Sequence, residues 1–232
     1  MAIEAWFPTL VYDEHLKPTE QVRKGMLDYV DKFYEENKAE RIGASNITGD
    51  VTGDYQVAKD PAFHWLNREV FKHCKLYLKE FGVNFQNLKL FSSKSWPVVC
   101  GHTLDESDAN FAVESHNHPN SHLSVVFYLQ TEKDAGGELE LQAPSTHPLW
   151  FTPIAPHCDE RPYPSLTEVS YVPAPDHMVI FPSSLNHCVR PHFGSIKRYS
   201  ITYDLLITGK KDIDMDNEMC IVHPDNWVDM NE

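Results

Sequence analysis

Nine of the 13 histidines in this chain fall between His102 and His192, and the densest group is His116-Asn117-His118-Pro119-Asn120-Ser121-His122. Side chains on an extended strand alternate in direction, so His116 and His118 are expected on one face and Asn117 on the other. Two imidazoles at that spacing can share one metal ion. A third donor has to come from elsewhere in the fold. The best candidate is His187, in Phe181-Pro182-Ser183-Ser184-Leu185-Asn186-His187, just after an apolar run that reads as a strand. Imidazole and carboxylate sets with open positions suit non-haem iron(II), whereas closed sulfur-rich tetrahedra suit structural zinc. Taken alone, a His-x-His pair fits two polar surface histidines equally well.

A second group follows His187 by eleven residues: Arg198, Ser200 and Thr202, in Lys197-Arg198-Tyr199-Ser200-Ile201-Thr202-Tyr203. Alternation places the three on a common strand face. A guanidinium flanked by hydroxyls is a receptor for a carboxylate, because its planar fork donates two parallel hydrogen bonds. The plainer reading is an exposed arginine beside strand hydroxyls. His122 is read as lying behind the metal site or in solvent, since Pro119 interrupts the strand. Cys188 is expected to face away from His187 and to pack.

Two kinds of element must position these groups. The first 85 residues read as helical. Pro18 opens a segment in which Val22, Met26, Tyr29, Val30 and Phe33 recur at helical spacing as far as about Asn37. A polar loop with Gly43, Gly49 and Gly53 covers 38–58. Asp60-Pro61 then reads as an N-cap with proline at the first helical position. A stripe from Phe63 through Leu66, Val70, Cys74, Tyr77 and Leu78 to Phe81 is closed by Gly82. From residue 88 onward the pattern is strands, at 88–91, 96–100, 116–130, 137–141, 178–181 and 199–207, with Asp134-Ala135-Gly136-Gly137 as a hairpin turn. The Pro-rich stretch 143–176, with Trp150, Phe151, His157 and Arg161, is expected to be a long irregular insertion and a candidate wall of a substrate entrance. Residues 209–232 form an acidic tail. The simplest arrangement is one domain over 1–232: a helical N-terminal layer (1–85) on a mainly β core (86–208).

Composition bounds the function. The formal net charge of −14 repels a phosphate backbone and argues against non-specific nucleic-acid binding. No apolar run approaches the roughly 20 residues that cross a bilayer, and Met1 to Trp6 carries no basic-then-apolar leader. The five cysteines, at 74, 100, 158, 188 and 220, are odd in number and lack a Cys-x-x-Cys, which indicates reduced thiols and a cytoplasmic location, the host's if the source is viral. Oligomeric state is not legible.

The ordered set His116-x-His118, distal His187 and Arg198-x-Ser200 resembles the double-stranded β-helix (jelly-roll or cupin-like) core of the iron(II)/2-oxoglutarate-dependent dioxygenases. Val125-Val126-Phe127-Tyr128-Leu129 followed by Gly136-Gly137-Glu138-Leu139 is similar to the prolyl-hydroxylase branch. Phe7-Pro8-Thr9, Trp96, His118-Pro119-Asn120-Ser121, Leu123-Ser124 and Phe181-Pro182-Ser183 look closer still to a group of 2-oxoglutarate oxygenases of bacteria and their viruses. The resemblance implies Fe(II) on His116, His118 and His187. It implies 2-oxoglutarate as co-substrate, its 5-carboxylate on Arg198 with Ser200, Thr202 or Tyr128, and O2 as oxidant. Hydroxylation of an unidentified substrate, tilted towards a peptide or protein side chain, would release succinate and CO2. One departure is that the superfamily's usual His-x-Asp or His-x-Glu is here His-x-His, so Asp105, Glu106, Asp108 and Glu114 stand as alternative carboxylate donors. Two other readings stay open: a three-histidine cupin-type dioxygenase without 2-oxoglutarate, and a non-enzymatic jelly-roll module with a saturated metal site.

Overall fold

The computed structural model describes residues 8–37, 46–48, 56–100, 112–144, 167–211 and 221–230. Among the described residues, ten strands and two helices run in the order β1 (Tyr12–His15), α1 (Glu20–Asn37), β2 (Asn46–Thr48), α2 (His64–Lys79), β3 (Leu88–Cys100), β4 (Val113–His116), β5 (Leu123–Gln130), β6 (Leu139–Gln142), β7 (Glu168–Tyr171), β8 (His177–Pro182), β9 (His187–Val189) and β10 (Arg198–Gly209). They form a six-stranded sheet, β1-β8-β5-β10-β3-β2, and a four-stranded sheet, β4-β9-β6-β7. All neighbours within the sheets are antiparallel.

The helices form where sequence periodicity places them. Thr19 caps α1, its hydroxyl accepting from Val22 N–H at 3.3 Å. Asp60 accepts from Ala62 N–H at 2.8 Å and starts a 3-10 turn, Pro61–Phe63, that runs into α2. Gly82, at φ 75°, sits just past the end of α2 in the left-handed region. Both helices bury one stripe against the same face of the larger sheet. Met26, Val30 and Phe33 of α1 and Leu66, Val70, Cys74, Tyr77 and Leu78 of α2 share a core with Val125, Phe127, Ile180, Ile201 and Leu205.

The strand that matters most is β10. Its residues Tyr199, Ile201, Tyr203 and Leu205 belong to that helix-backed core, while Arg198, Ser200, Thr202 and Asp204 line a cavity on the opposite side. Both sets are buried. A strand sandwiched in this way gives each face of its period-two pattern a different task. The cavity side is closed by the smaller sheet through a second apolar cluster of Leu139, Leu141, Val179, Phe181 and Leu185.

Five expectations need correction. The first 85 residues are not wholly a helical layer, since β1 and β2 within them pair onto the two edges of the larger sheet. Residues 88–91 and 96–100 are one strand, because a register shift opposite Asp204/Leu205 lets β3 continue past its polar middle. The run 116–130 is two strands, since β4 stops at His116 and β5 starts at Leu123, with Pro119 in the break. Asp134 to Gly137 is not a hairpin. It carries the chain from β5 in one sheet to β6 in the other, with Asp134, Gly136 and Gly137 all at positive φ. The stretch 143–176 is not irregular throughout, because β7 pairs with β6 along its edge and Ala143 N–H donates to Thr167 O. Trp150, Phe151, His157 and Arg161 lie outside the described residues.

Candidate metal and co-substrate site

All seven residues singled out from the sequence, His116, His118, His187, Arg198, Ser200, Tyr128 and Thr202, line one cavity of about 590 Å³. Different elements bring the histidines there. His116 ends β4 and pairs across the small sheet with His187, the first residue of β9. His118 lies beyond the end of β4, so strand alternation is not what aligns it with His116. A backbone anchor does that work: His118 N–H donates to Ser183 O at 2.8 Å, tying the turn to the end of β8. The three rings lie 4.3–5.1 Å apart between centroids, and one donor atom from each falls within 4.8 Å of the other two.

Each ring has an acceptor behind it. Nδ1 of His116 faces Glu114 O at 2.8 Å, Nδ1 of His187 faces Leu185 O at 3.0 Å, and Nδ1 of His118 faces the Asp204 carboxylate at 2.5 Å. Carbonyl and carboxylate oxygens accept, so Nδ1 is the protonated nitrogen of each ring and Nε2 is the one that would serve as ligand. Burial pulls the His187 pKa down to about 4, helped by the neighbouring His116 and His118. His187 is therefore neutral, and competent as a ligand, at neutral pH. Among the described residues no fourth His, Cys, Asp or Glu joins the three. Glu114 is exposed on β4, and Asp105, Glu106 and Asp108 lie outside the described residues. A saturated tetrahedral site would need such a fourth donor.

Arg198 is 1% exposed, among the most buried side chains of the protein. Its Nη1 donates to Gly137 O, its Nη2 meets Cys100 Sγ at 3.0 Å, and its Nε has no partner. No carboxylate among the described residues pairs with it. Tyr128, also buried, lies with its ring centroid 5.8 Å from the guanidinium carbon, and desolvation pushes its phenol up to about 12, so it remains a neutral hydroxyl. A buried cation without an anion is costly by several kcal/mol. The unpartnered Nε, the hydroxyls of Ser200 and Thr202 on the same strand face, and the open cavity beside them fit an anionic ligand. The turn at Gly137 is shaped around this group: a Cβ there would lie 3.1 Å from Cδ and Nη1 of Arg198.

Asp204 is the site residue that sequence reasoning missed. The signal was present, since the alternation that groups Arg198, Ser200 and Thr202 reaches Asp204 at its next step. Three other residues have partners away from the cluster. His122 accepts from Ile207 N–H, His73 bonds Tyr12 and Glu69, and Cys188 points to the far face, 3.6 Å from Glu140.

Two antiparallel sheets enclose the three-histidine cluster and the buried arginine, the arrangement of a double-stranded β-helix. The comparisons make this specific. Residues 94–204 match the family described as "Putative 2OG-Fe(II) oxygenase". Among solved structures, the fold is similar to a prolyl hydroxylase from Trichoplax adhaerens, solved in complex with a hypoxia inducible factor oxygen degradation domain peptide fragment. That match has 15% identity and a TM-score of 0.53, covering 84% of this chain and 83% of that one. A Pseudomonas putida prolyl-4-hydroxylase matches at 15% identity and TM-score 0.45, covering 85% and 92%. No curated protein matches. The matched segment, 94–204, thus resembles a 2-oxoglutarate/iron(II) oxygenase core, the fold is that of the prolyl hydroxylase, and the three histidines could hold a metal ion. Among the described residues, no helix is long and apolar enough to cross a membrane.

Proposed function

We propose that His116, His118 and His187 hold iron(II), that Arg198 with Ser200, Thr202 and Tyr128 receives the 5-carboxylate of 2-oxoglutarate, and that the protein hydroxylates a peptide or protein side chain. The observation that carries this reading is the shared cavity: three Nε2 lone pairs and one buried arginine without an anionic partner line the same space. Bound iron(II) and 2-oxoglutarate would supply the oxidising chemistry, with O2 consumed, succinate and CO2 released, and the second substrate hydroxylated. The protein's own residues orient and exclude. Acceptors behind each imidazole fix its tautomer, the guanidinium sets the direction of the co-substrate, and Val98, Val126, Leu139, Phe181 and Val189 keep the walls apolar. The peptide substrate rests on the prolyl-hydroxylase fold, and the net charge of −14 disfavours polyanionic alternatives. A single catalytic domain in a reducing cytoplasm suits the free thiols of Cys74, Cys100 and Cys188.

The test is anaerobic loading with iron(II) followed by 2-oxoglutarate, watching for the visible charge-transfer band of the chelate. The band is expected in the wild type and lost in His118→Ala. Arg198→Ala should weaken 2-oxoglutarate binding far more than iron binding. No band and no co-substrate binding in the wild type would overturn the assignment.

A further inference from the structure

Three neutral imidazoles leave a divalent ion its full charge, and the donor set offers nothing to offset it. One carboxylate stands directly behind a ring of the cluster. Asp204 is 8% exposed, and its Oδ1 lies 2.5 Å from Nδ1 of His118. His118 is an ion-pair partner of this carboxylate. A buried carboxylate requires compensation, and an imidazole made cationic in character by a bound metal supplies it. His116 and His187 differ in kind, because their Nδ1 groups face neutral backbone carbonyls.

The carboxylate is held in place as well as near. Ser124 Oγ lies 3.2 Å from Asp204 Oδ1 and 3.1 Å from His118 Nδ1. Ser124 is in turn 2.9 Å from Ser183 Oγ, which accepts from Ser121 Oγ at 2.8 Å. Ser183 also takes the backbone N–H of His118 through its carbonyl, so the hydroxyl chain and the turn carrying His118 are one unit. From this geometry we infer that Asp204 is a positioning residue of the metal site: it accepts the Nδ1–H of His118, directs Nε2 into the cavity, and places behind that ring the negative charge that the three donors lack. The inference rests on the reading of His118 as a ligand.

The test compares wild type, D204N, S124A and H118A by anaerobic iron(II) titration and by the position of the 2-oxoglutarate charge-transfer band. The near-isosteric D204N keeps the volume and removes the charge. It should weaken iron binding by about 10–100-fold. It should also move the band to shorter wavelength, because a less electron-rich iron is harder to oxidise, a shift that a purely structural role does not produce. S124A should weaken iron binding in the same direction by a smaller factor, and it decides the matter alone if D204N fails to fold. Iron affinity within twofold of wild type and an unmoved band in D204N, or in S124A where D204N does not fold, would overturn the role of Asp204 while H118A still loses the metal. Unchanged iron binding in H118A would instead overturn the ligand assignment beneath it.

Discussion

At Gly137 the chain makes a choice that no other residue type can copy cheaply. Its φ of 77° lies in the left-handed region, and the space where a side chain would begin is taken by Arg198. The same residue's carbonyl accepts from Nη1, so backbone and cavity are shaped together. Gly137→Ala should therefore act on the co-substrate subsite before it acts on the metal. The expected outcome is roughly 1–2 kcal/mol of lost stability from the strained backbone. With it should come a drop in 2-oxoglutarate affinity and near-normal iron binding, read by parallel titrations. Equal loss of both ligands would mean that the turn supports the whole cavity.

At the scale of the element, β10 separates stability from function by the direction of its side chains. Tyr203 faces the helices, where its hydroxyl donates to Asn67 Oδ1 of α2 at 3.0 Å, and Tyr199 does the same to Asp31 of α1 at 2.6 Å. Ser200 and Thr202 face the cavity. Tyr203→Phe should cost about 1 kcal/mol of unfolding free energy, the net worth of one hydrogen bond, and leave the charge-transfer titration unchanged. The double change Ser200→Ala with Thr202→Ala should do the reverse, lowering 2-oxoglutarate affinity with little shift in the melting temperature. A strand whose two faces could not be separated in this way would contradict the placement of the cavity on one side of it.

For the whole molecule, the largest core is the layer between helices and the six-stranded sheet, on the side away from the histidines. The proposed metal site thus lies apart from the main core, unlike that of a zinc finger, whose folding free energy is its metal binding. Chelator treatment should leave the circular dichroism of secondary structure intact. Adding iron(II) and 2-oxoglutarate should raise the melting temperature by simple linkage, about 2.7 kcal/mol when ligand stands at a hundred times its Kd. Collapse of the secondary structure on chelation would show that the two sheets depend on the ion. A net charge of −14 does not favour an anionic co-substrate, so affinity for one would depend on the local geometry at Arg198 and not on the field of the whole chain.

The sequence alone determined the elements whose signals are local. Helix stripes, the turn signals at Asp60 and Gly82, and the common face of Arg198, Ser200 and Thr202 follow from local residue types and from periods of 3.6 and 2 that need no knowledge of the rest of the chain. It also marked His116 and His118, whose closeness is visible in one dimension, and offered His187 as a distal candidate that only the fold brings beside them. Tertiary structure decided what depends on long-range contact. It anchored His118 by Ser183, not by its strand; it sent the Gly136-Gly137 turn from one sheet to the other; and it put Asp204 behind an imidazole 86 residues away in sequence. An acidic residue in a strand carries no label naming its partner. Only the packing of β10 against the turn after β4 makes it part of the site.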